Sequence, residues 1–128
     1  MLRRRKKTSN PVVPAGLIAR TEKGTFLVKG DKRFRFISER ARQSWDIHEV
    51  ETSEAAMQNS KIAGIIGFRD GTLIRDISNH RIYLISDYKK RHVVSPDALK
   101  DLGFTSNDIV LVSSKEAAVH KEGEVLNA

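Results

Sequence analysis

The chain has 128 residues, of which 39% are hydrophobic and 30% are charged, a balance typical of a soluble globular protein and not of a disordered one. No apolar run reaches the roughly 18 residues that a membrane-spanning helix needs. The absence of cysteine excludes disulfides, thiolate chemistry and cysteine-built zinc sites, and the formal net charge is +7.

Much of the positive charge lies in the first predicted segment, a basic extended arm over residues 1–14. Outside its five-residue basic run the chain has 18 basic and 16 acidic residues, so the remainder is nearly neutral. No apolar stretch follows the run, so we expect no signal peptide. We expect the arm to bind a partner through its charges, either phosphate groups or an acidic protein surface, and the alternative is a solvated tail. The predicted partner-binding residues are Arg3, Arg4, Arg5, Lys6 and Lys7.

After the arm, the sequence repeats itself at low identity, and order, spacing and polarity carry the match. The clearest pair is residues 25–28 with residues 82–85, which lie 57 positions apart. Earlier and later segments match at slightly different separations, as expected if loop lengths differ. The further matches are 17–18 with 73–74, Lys32 with Lys89, Phe26 with Tyr83, Trp45 with Leu102, and 54–57 with 116–119.

Each copy is predicted to contain three short strands, a short helix, a further strand and a final helical turn. The strand segments are rich in β-branched and aromatic residues and are bounded by turn residues. The strongest helix signal is Ser95 followed by Pro96, with Gly103 as the stop. The predicted strands are 16–20, 25–29, 33–37 and 47–50 in the first copy, and 72–75, 81–85, 91–94 and 109–112 in the second.

The predicted fold is therefore α+β, with two tandem copies of a three-to-four-stranded antiparallel β module that carries one or two short helices. Phe26 and Tyr83 are expected to occupy equivalent core positions, as are Trp45 and Leu102. The predicted organisation is the arm at 1–14, module 1 at 15–61, a connecting strand and turn at 62–70, module 2 at 71–120 and a C-terminal tail at 121–128.

No pattern in the sequence indicates catalysis. The four histidines lack metal-ligand spacing, and Asp97 and Asp101 lie one turn apart on a short predicted helix, where helix-start charge and solubility explain them. We expect no enzymatic activity, no catalytic residue, no cofactor, no metal ligand and no small-molecule substrate. The histidines are His48, His80, His92 and His120.

A second basic cluster consists of Lys89, Lys90 and Arg91. With Tyr83 and Tyr88 nearby, it suggests stacking combined with charge, as in proteins that bind single-stranded nucleic acid. The favoured interpretation is an edge strand that its charges keep soluble.

The second copy also carries a string of short motifs: D-G-T-L-I-R at 70–75, I-Y-L-I at 82–85, K-K-R at 89–91, S-P at 95–96 and L-G at 102–103. This string resembles a small repeat of bacterial surface and cell-wall-associated proteins, D-G-T-L-I/V-R, Y-L-I, G-K-K-R, I/V-P/S, L-G, and modules of phage structural proteins. The resemblance covers about half of the chain. The first copy departs from it, with Ala19 in place of Arg75 and Trp45-Asp46 in place of Leu102-Gly103.

The resemblance implies binding or scaffolding and transfers no site residue. Together with the arm and the lack of cysteine, it leads us to expect a phage virion component made in the host cytoplasm, whose position in the tail, baseplate, neck or capsid decoration stays open. Its expected partners are other virion proteins and copies of itself, bound through the arm and strand edges, with nucleic acid as a further partner of the arm and no membrane. The alternatives are a cell-wall or glycan-binding module and a nucleic-acid-binding accessory protein.

Overall fold

The computed structural model describes residues 16–126, which form nine strands, three short α-helices and one 3-10 turn. By their contacts these residues make two units, which are described separately. Unit 1 contains the described residues up to Phe36 together with Asp46–Ile66, and unit 2 contains Ile37–Trp45 together with the residues from Gly67 onward. Within the described range no helix has the length and hydropathy to cross a membrane.

Unit 1 is a five-stranded sheet built around an antiparallel meander. The meander strands β1, β2 and β3 are consecutive in the chain, and one outer strand on each side runs parallel to its neighbour, β4 beside β1 and β5 beside β3. The strand order is β4-β1-β2-β3-β5. The strands are β1 (Ile18–Thr21), β2 (Gly24–Lys29), β3 (Lys32–Phe36), β4 (Glu49–Glu51) and β5 (Lys61–Ile66).

Unit 2 contains the same meander, formed by β6, β7 and β8, with β9 parallel to β6. The strand order is β8-β7-β6-β9. The C-terminal segment runs parallel along the outer side of β8, where Lys90 pairs with Glu122 and Val93 with Leu126. This is the position that β5 occupies beside β3. The strands are β6 (Leu73–Asp76), β7 (Ile82–Ser86), β8 (Lys89–Val93) and β9 (Ile109–Val112), and the helices are α1 (Glu39–Gln43), α2 (Pro96–Asp101) and α3 (Ser114–Ala117).

The prediction of α+β modules with short helices is thus correct in outline, but the prediction of purely antiparallel sheets is wrong. The two sheets have five and four strands and are mixed. The meander strands can be joined by tight turns, whereas a strand that follows an intervening helix or turn segment returns parallel to the strand it joins. The alternation of apolar residues indicates which face of a strand is buried, but not the direction of its neighbour. The parallel direction of the outer strands could therefore not be predicted from the sequence.

The strand registers of the two units match. Ala19 lies opposite Phe26 in unit 1, and Ile74 lies opposite Tyr83 in unit 2, and all four side chains are buried. Phe26 and Tyr83 therefore occupy equivalent positions, as expected. Comparison of the two registers makes Ala19 equivalent to Ile74. The sequence alignment had made Ala19 equivalent to Arg75 and was therefore wrong by one position.

The second expected pair does not share an environment. Trp45 is half-buried, and its indole Nε1–H donates a hydrogen bond to the carbonyl of Gly67 at 2.9 Å. Leu102 caps the C-terminus of α2, and its side chain is exposed. The expectation of equivalent core positions is wrong here, because α2 is one residue longer than α1 and shifts the residues that follow it.

Side chains on both faces of the unit 2 sheet are buried, and this accounts for its three helices. The Tyr83 face, defined as Ile74, Tyr83, Ile85 and Val112, packs against Ala41 of α1, Ala117 of α3 and Phe68. The opposite face, which we call the Leu84 face, packs Leu73 and Val93 against Ala98 of α2. Helices of four to six residues have little stability alone, so these contacts and the serine N-caps maintain them. The N-caps are Ser38, Ser95 and Ser113.

The C-terminal segment offers a test of its structural role. Leu126 packs on the Leu84 face and its N–H donates to the carbonyl of His92, whereas the neighbouring Val125 is 49% exposed. We expect Leu126→Ala to lower the free energy of unfolding by about 1–2 kcal/mol, since it removes half-buried methyl groups. Urea denaturation measures this. Val125→Ala is the control and should change little; equal losses for both variants would contradict the pairing along β8.

Candidate functional site

The most buried charged side chain of unit 1 is Arg33 on β3. Its Nη1 and Nη2 donate to the two carboxylate oxygens of Glu54, each at 2.6 Å, and its Nε donates to the carbonyl of Ser60 at 3.1 Å. The hydroxyl of Thr21 donates to Glu54 at 2.5 Å, and the guanidinium lies 4.6 Å from the centre of the Phe26 ring. Every nitrogen of this guanidinium is therefore used inside the unit.

The pair is a structural clamp and not a free charge site. The side chains of Arg33 and Glu54 are 6% and 18% exposed. The hydrogen bonds from Arg33 lower the pKa of Glu54 from 4.5 to about 2, and they outweigh the burial that would raise it. The clamp joins the third meander strand to the turn that follows β4, which fixes the path of the chain into β5.

Breaking the clamp should destabilise unit 1. Glu54→Gln leaves a buried guanidinium without its carboxylate, and we expect a loss of about 2 kcal/mol in the free energy of unfolding at neutral pH. The folded pKa of Glu54 lies below its ordinary value, so the stabilisation is complete above pH 4.5 and disappears as the pH falls toward 2. The difference between wild type and Glu54→Gln should narrow over that window in urea titrations.

The matched control is Glu49→Gln. Glu49 also bonds an arginine, Arg20 at 2.9 Å, but the side chains of that pair are 24% and 43% exposed. An exposed pair is worth less than about 1 kcal/mol. If both variants lose the same stability, burial is not what makes the Arg33–Glu54 pair strong.

Unit 2 has a different buried polar centre, formed by His120 and Tyr88. The N–H of Phe68 donates to Nε2 of His120 at 3.0 Å, so this nitrogen carries no proton. Nδ1 therefore carries the proton and donates it to the carbonyl of Tyr88 at 2.7 Å. Burial lowers the pKa of His120, and the nearby Lys90 charge acts in the same direction.

Tyr88 is held from several sides in a backbone conformation that its residue type rarely adopts. It and Asp87 have φ values of 63° and 52° in the two-residue turn between β7 and β8. The N–H of Gly67 donates to the Tyr88 hydroxyl at 2.7 Å, and the Tyr88 N–H donates to Asp70 at 2.8 Å. The Tyr88 ring centre lies 4.4 Å from that of His120. Gly67 has to be glycine here, since an added Cβ would lie 2.5 Å from Nε2 of His120.

This centre predicts a stability loss in mild acid. The pKa of His120 is lower in the folded protein than the ordinary 6.5, so the unfolded chain binds the proton first as the pH falls. The free energy of unfolding therefore stays constant with respect to this group above pH 6.5 and decreases below it. Thermal unfolding between pH 7.5 and 5 measures the slope of stability against pH. His120→Gln should remove part of this slope, whereas His80→Gln, at an exposed histidine, should preserve it. An unchanged slope in His120→Gln would contradict the assignment.

The structure does not bring the second basic cluster together on one surface. Lys90 lies on the Tyr83 face, with its ammonium 5.2 Å from the centre of the Tyr83 ring. Lys89 and Arg91 lie on the opposite, Leu84 face, since Lys89 pairs with Ser86 and Arg91 with Leu84. The three charges therefore do not form a continuous basic stripe.

The surroundings of Lys89 and Arg91 are also mixed in charge. Nε of Arg91 donates to the carbonyl of Glu124 at 3.0 Å. A cleft beside them contains Asp87 and Glu124, so acidic and basic groups alternate along it. The outer side of β8 is occupied by the C-terminal segment, which means that β8 is not the edge strand that the sequence interpretation assumed.

The two tyrosines do not offer free stacking surfaces. Tyr83 is buried in the core of unit 2, and Tyr88 is half-buried with its hydroxyl bonded to Gly67. Of the other predicted features, Asp97 and Asp101 are exposed on α2, and no group of three or more histidine or acidic side chains able to hold a metal ion occurs within residues 16–126. The arm residues Arg3, Arg4, Arg5, Lys6 and Lys7 lie outside the described residues.

The two units balance their meander charges in different ways. Arg33 and Lys90 are equivalent, since each is the second residue of its strand and pairs with an apolar residue, Val28 or Ile85. Each also lies over the equivalent aromatic ring, that of Phe26 or Tyr83. Unit 1 supplies the carboxylate from Glu54, after β4. In unit 2 the acid is Asp76, at the end of β6, where hydrogen bonds from Ser78 hold its pKa down, against the effect of burial, and the Lys90 charge adds to the lowering.

Searches against protein-family models, curated proteins and solved structures found no match to this chain. The assignment of function therefore depends on the residues themselves.

Sequence reasoning missed both buried polar centres. Arg33 and Glu54 are 21 positions apart and in different elements, and nothing in their local sequence links them. His120 had no ligand partner in the sequence, and its structural role depends on a turn 32 positions away. The strict alternation of residues 33–36 was the one available signal for Arg33, because it placed both arginines of that strand on one face.

Proposed function

We propose that this chain is a non-enzymatic assembly protein, a phage virion component that binds neighbouring molecules through its N-terminal arm and its strand edges. The observation that carries the proposal is an exposed apolar strand at the margin of the unit 1 sheet. Ile62 and Ile65 of β5 are 44% and 56% exposed. Strand edges with exposed aliphatic side chains are templates for pairing with another chain.

The polar groups of the described residues support the same proposal. The strongly buried ones, Arg33, Asp76, Glu116 and His120, each have partners within their own unit. Hydrogen bonds lower the pKa values of Glu54 and Asp76, and burial lowers that of His120. These contacts stabilise each unit from within. The exposed aliphatic side chains fit contacts with other macromolecules, as does the basic arm predicted from the sequence.

The virion part of the proposal rests on the resemblance of the second copy to modules of phage structural proteins and on the basic arm. A glycan-binding role is less well supported, because Tyr88, the aromatic residue it would use, is bonded inside unit 2. A nucleic-acid-binding role depends on the arm alone, since Lys90 lies on the opposite sheet face from Lys89 and Arg91.

The arm is tested by deleting residues 1–10. We expect the mass of assemblies in solution, measured by light scattering, to fall, and the protein to be lost from particles purified from the strain that encodes it. Replacing the five basic residues at 3–7 by glutamine keeps the length and separates the charge from the chain itself. Unchanged assembly and incorporation in both variants would contradict a connecting arm.

The same variants separate the nucleic-acid alternative. If the five charges contact duplex phosphates, the affinity for DNA should fall with salt along a log–log slope of about −4. A steep slope that disappears in the glutamine variant, without any effect on protein assembly, would favour nucleic acid as the partner.

A further inference from the structure

We infer that β5 pairs antiparallel with β5 of a second copy of this chain, joining two unit 1 sheets across a two-fold axis. The inference deepens the proposed function by naming one partner, and it rests on that proposal only for its biological role. Within the described residues, β5 is the last strand on its side of the sheet, with β3 as its single neighbour.

A bulge places the two exposed isoleucines of β5 on the same face. Arg33 pairs with Ile62 and Phe34 with Gly64, so Ala63 is an extra residue on the β5 side. Ile65 then pairs with Arg35. Because Arg33 and Arg35 are two positions apart on β3, they share a face, and Ile62 and Ile65 share it with them. Regular alternation would have put residues three apart on opposite faces.

This arrangement makes the strand self-complementary. Antiparallel pairing centred between Ala63 and Gly64 puts Ile62 of each copy opposite Ile65 of the other. Four isoleucines then meet on one face, while the small residues in the middle allow the two backbones to approach. The one charged residue of β5, Lys61, lies opposite Ile66 of the other copy, so pairing brings no two lysines together.

The equivalent segment of unit 2 shows what a protected edge looks like in this fold. The two bridges of the C-terminal segment align Ile62 with Glu122 and Ile66 with Leu126. Residues 121–126 read K-E-G-E-V-L, with two glutamates, whereas β5 reads K-I-A-G-I-I, with none. Charged residues on an edge prevent pairing with another chain. Unit 2 has three charged residues along this segment, whereas β5 has only Lys61 at its start.

Two six-residue strands bury less surface than the roughly 1,200 Å² of a small specific interface. Association is therefore expected to depend on concentration in solution and to strengthen where many copies are held together. Light scattering over a concentration series should show a monomer–dimer equilibrium. Ile62→Glu, which installs the unit 2 residue, should weaken dimerisation at least about tenfold, because two glutamates enter the apolar cluster. Leu102→Glu, at a residue 45% exposed on α2, is the control and should dimerise like wild type.

Cross-linking tests the register. The chain has no cysteine, so Ile62→Cys and Ile65→Cys each introduce a single thiol. Antiparallel pairing predicts that a mixture of the two variants forms a disulfide more readily than either variant alone. Preferential cross-linking of Ile62→Cys with itself would overturn the inferred register.

Two outcomes would overturn the inference as a whole. One is a wild-type protein that stays monomeric at every concentration, and the other is association that is lost on deleting residues 1–14 but retained in Ile62→Glu, which would identify the arm as the contact. Incorporation into particles in the first case would leave the proposed assembly role standing, so failure of the pairing and failure of the proposed function are distinguishable.

Discussion

A three-stranded meander has two open edges and two faces, and the described structure is organised around closing them. In unit 1 the parallel strands β4 and β5 close the two edges, and in unit 2 β9 and the C-terminal segment do the same. The backbone hydrogen bonds of these outer strands satisfy groups that would otherwise be left at the sheet margins. Residues that return after the helical segments are therefore as important to each unit as the meander itself.

Buried polar contacts position the segments that lead into the outer strands of each unit. In unit 1 the Arg33–Glu54 pair ties the turn after β4 to the meander, and the Ser60 carbonyl that leads into β5 binds the same guanidinium. In unit 2 His120 ties the segment after α3 to the β7–β8 turn and to Phe68. An ion pair in unit 1 and histidine hydrogen bonds in unit 2 thus fix the chain just before its last strand. Both are buried, where the low dielectric constant strengthens polar contacts.

The sequence predicted what short-range patterns can report. Alternation and turn residues located the meander strands, and Ser95, Pro96 and Gly103 located α2. The parallel outer strands, the C-terminal pairing along β8 and the placement of α1 against the Tyr83 face could not be predicted, since they depend on contacts between distant residues. The charged cluster at 89–91 was found, but its division between two faces follows from strand register, which a run of like charges does not reveal.

The relocation of the acidic residue between the two units limits how their parts can be exchanged. Unit 1 couples Thr21 and Arg33 in the meander to Glu54 in the return segment, by which we mean the chain that follows β4 or β9. Unit 2 keeps Asp76 and Lys90 in the meander. Continued past β4 and β9, the strand registers align Glu54 with Ser114, and not with Glu116 as in the sequence alignment. A chimera that joined the first meander to the second return segment would remove Glu54, the carboxylate that Arg33 binds. Each meander therefore depends on its own return segment, and because Ile37–Trp45 of unit 2 interrupts unit 1 in the chain, no single crossover in the gene would separate unit 1 from unit 2.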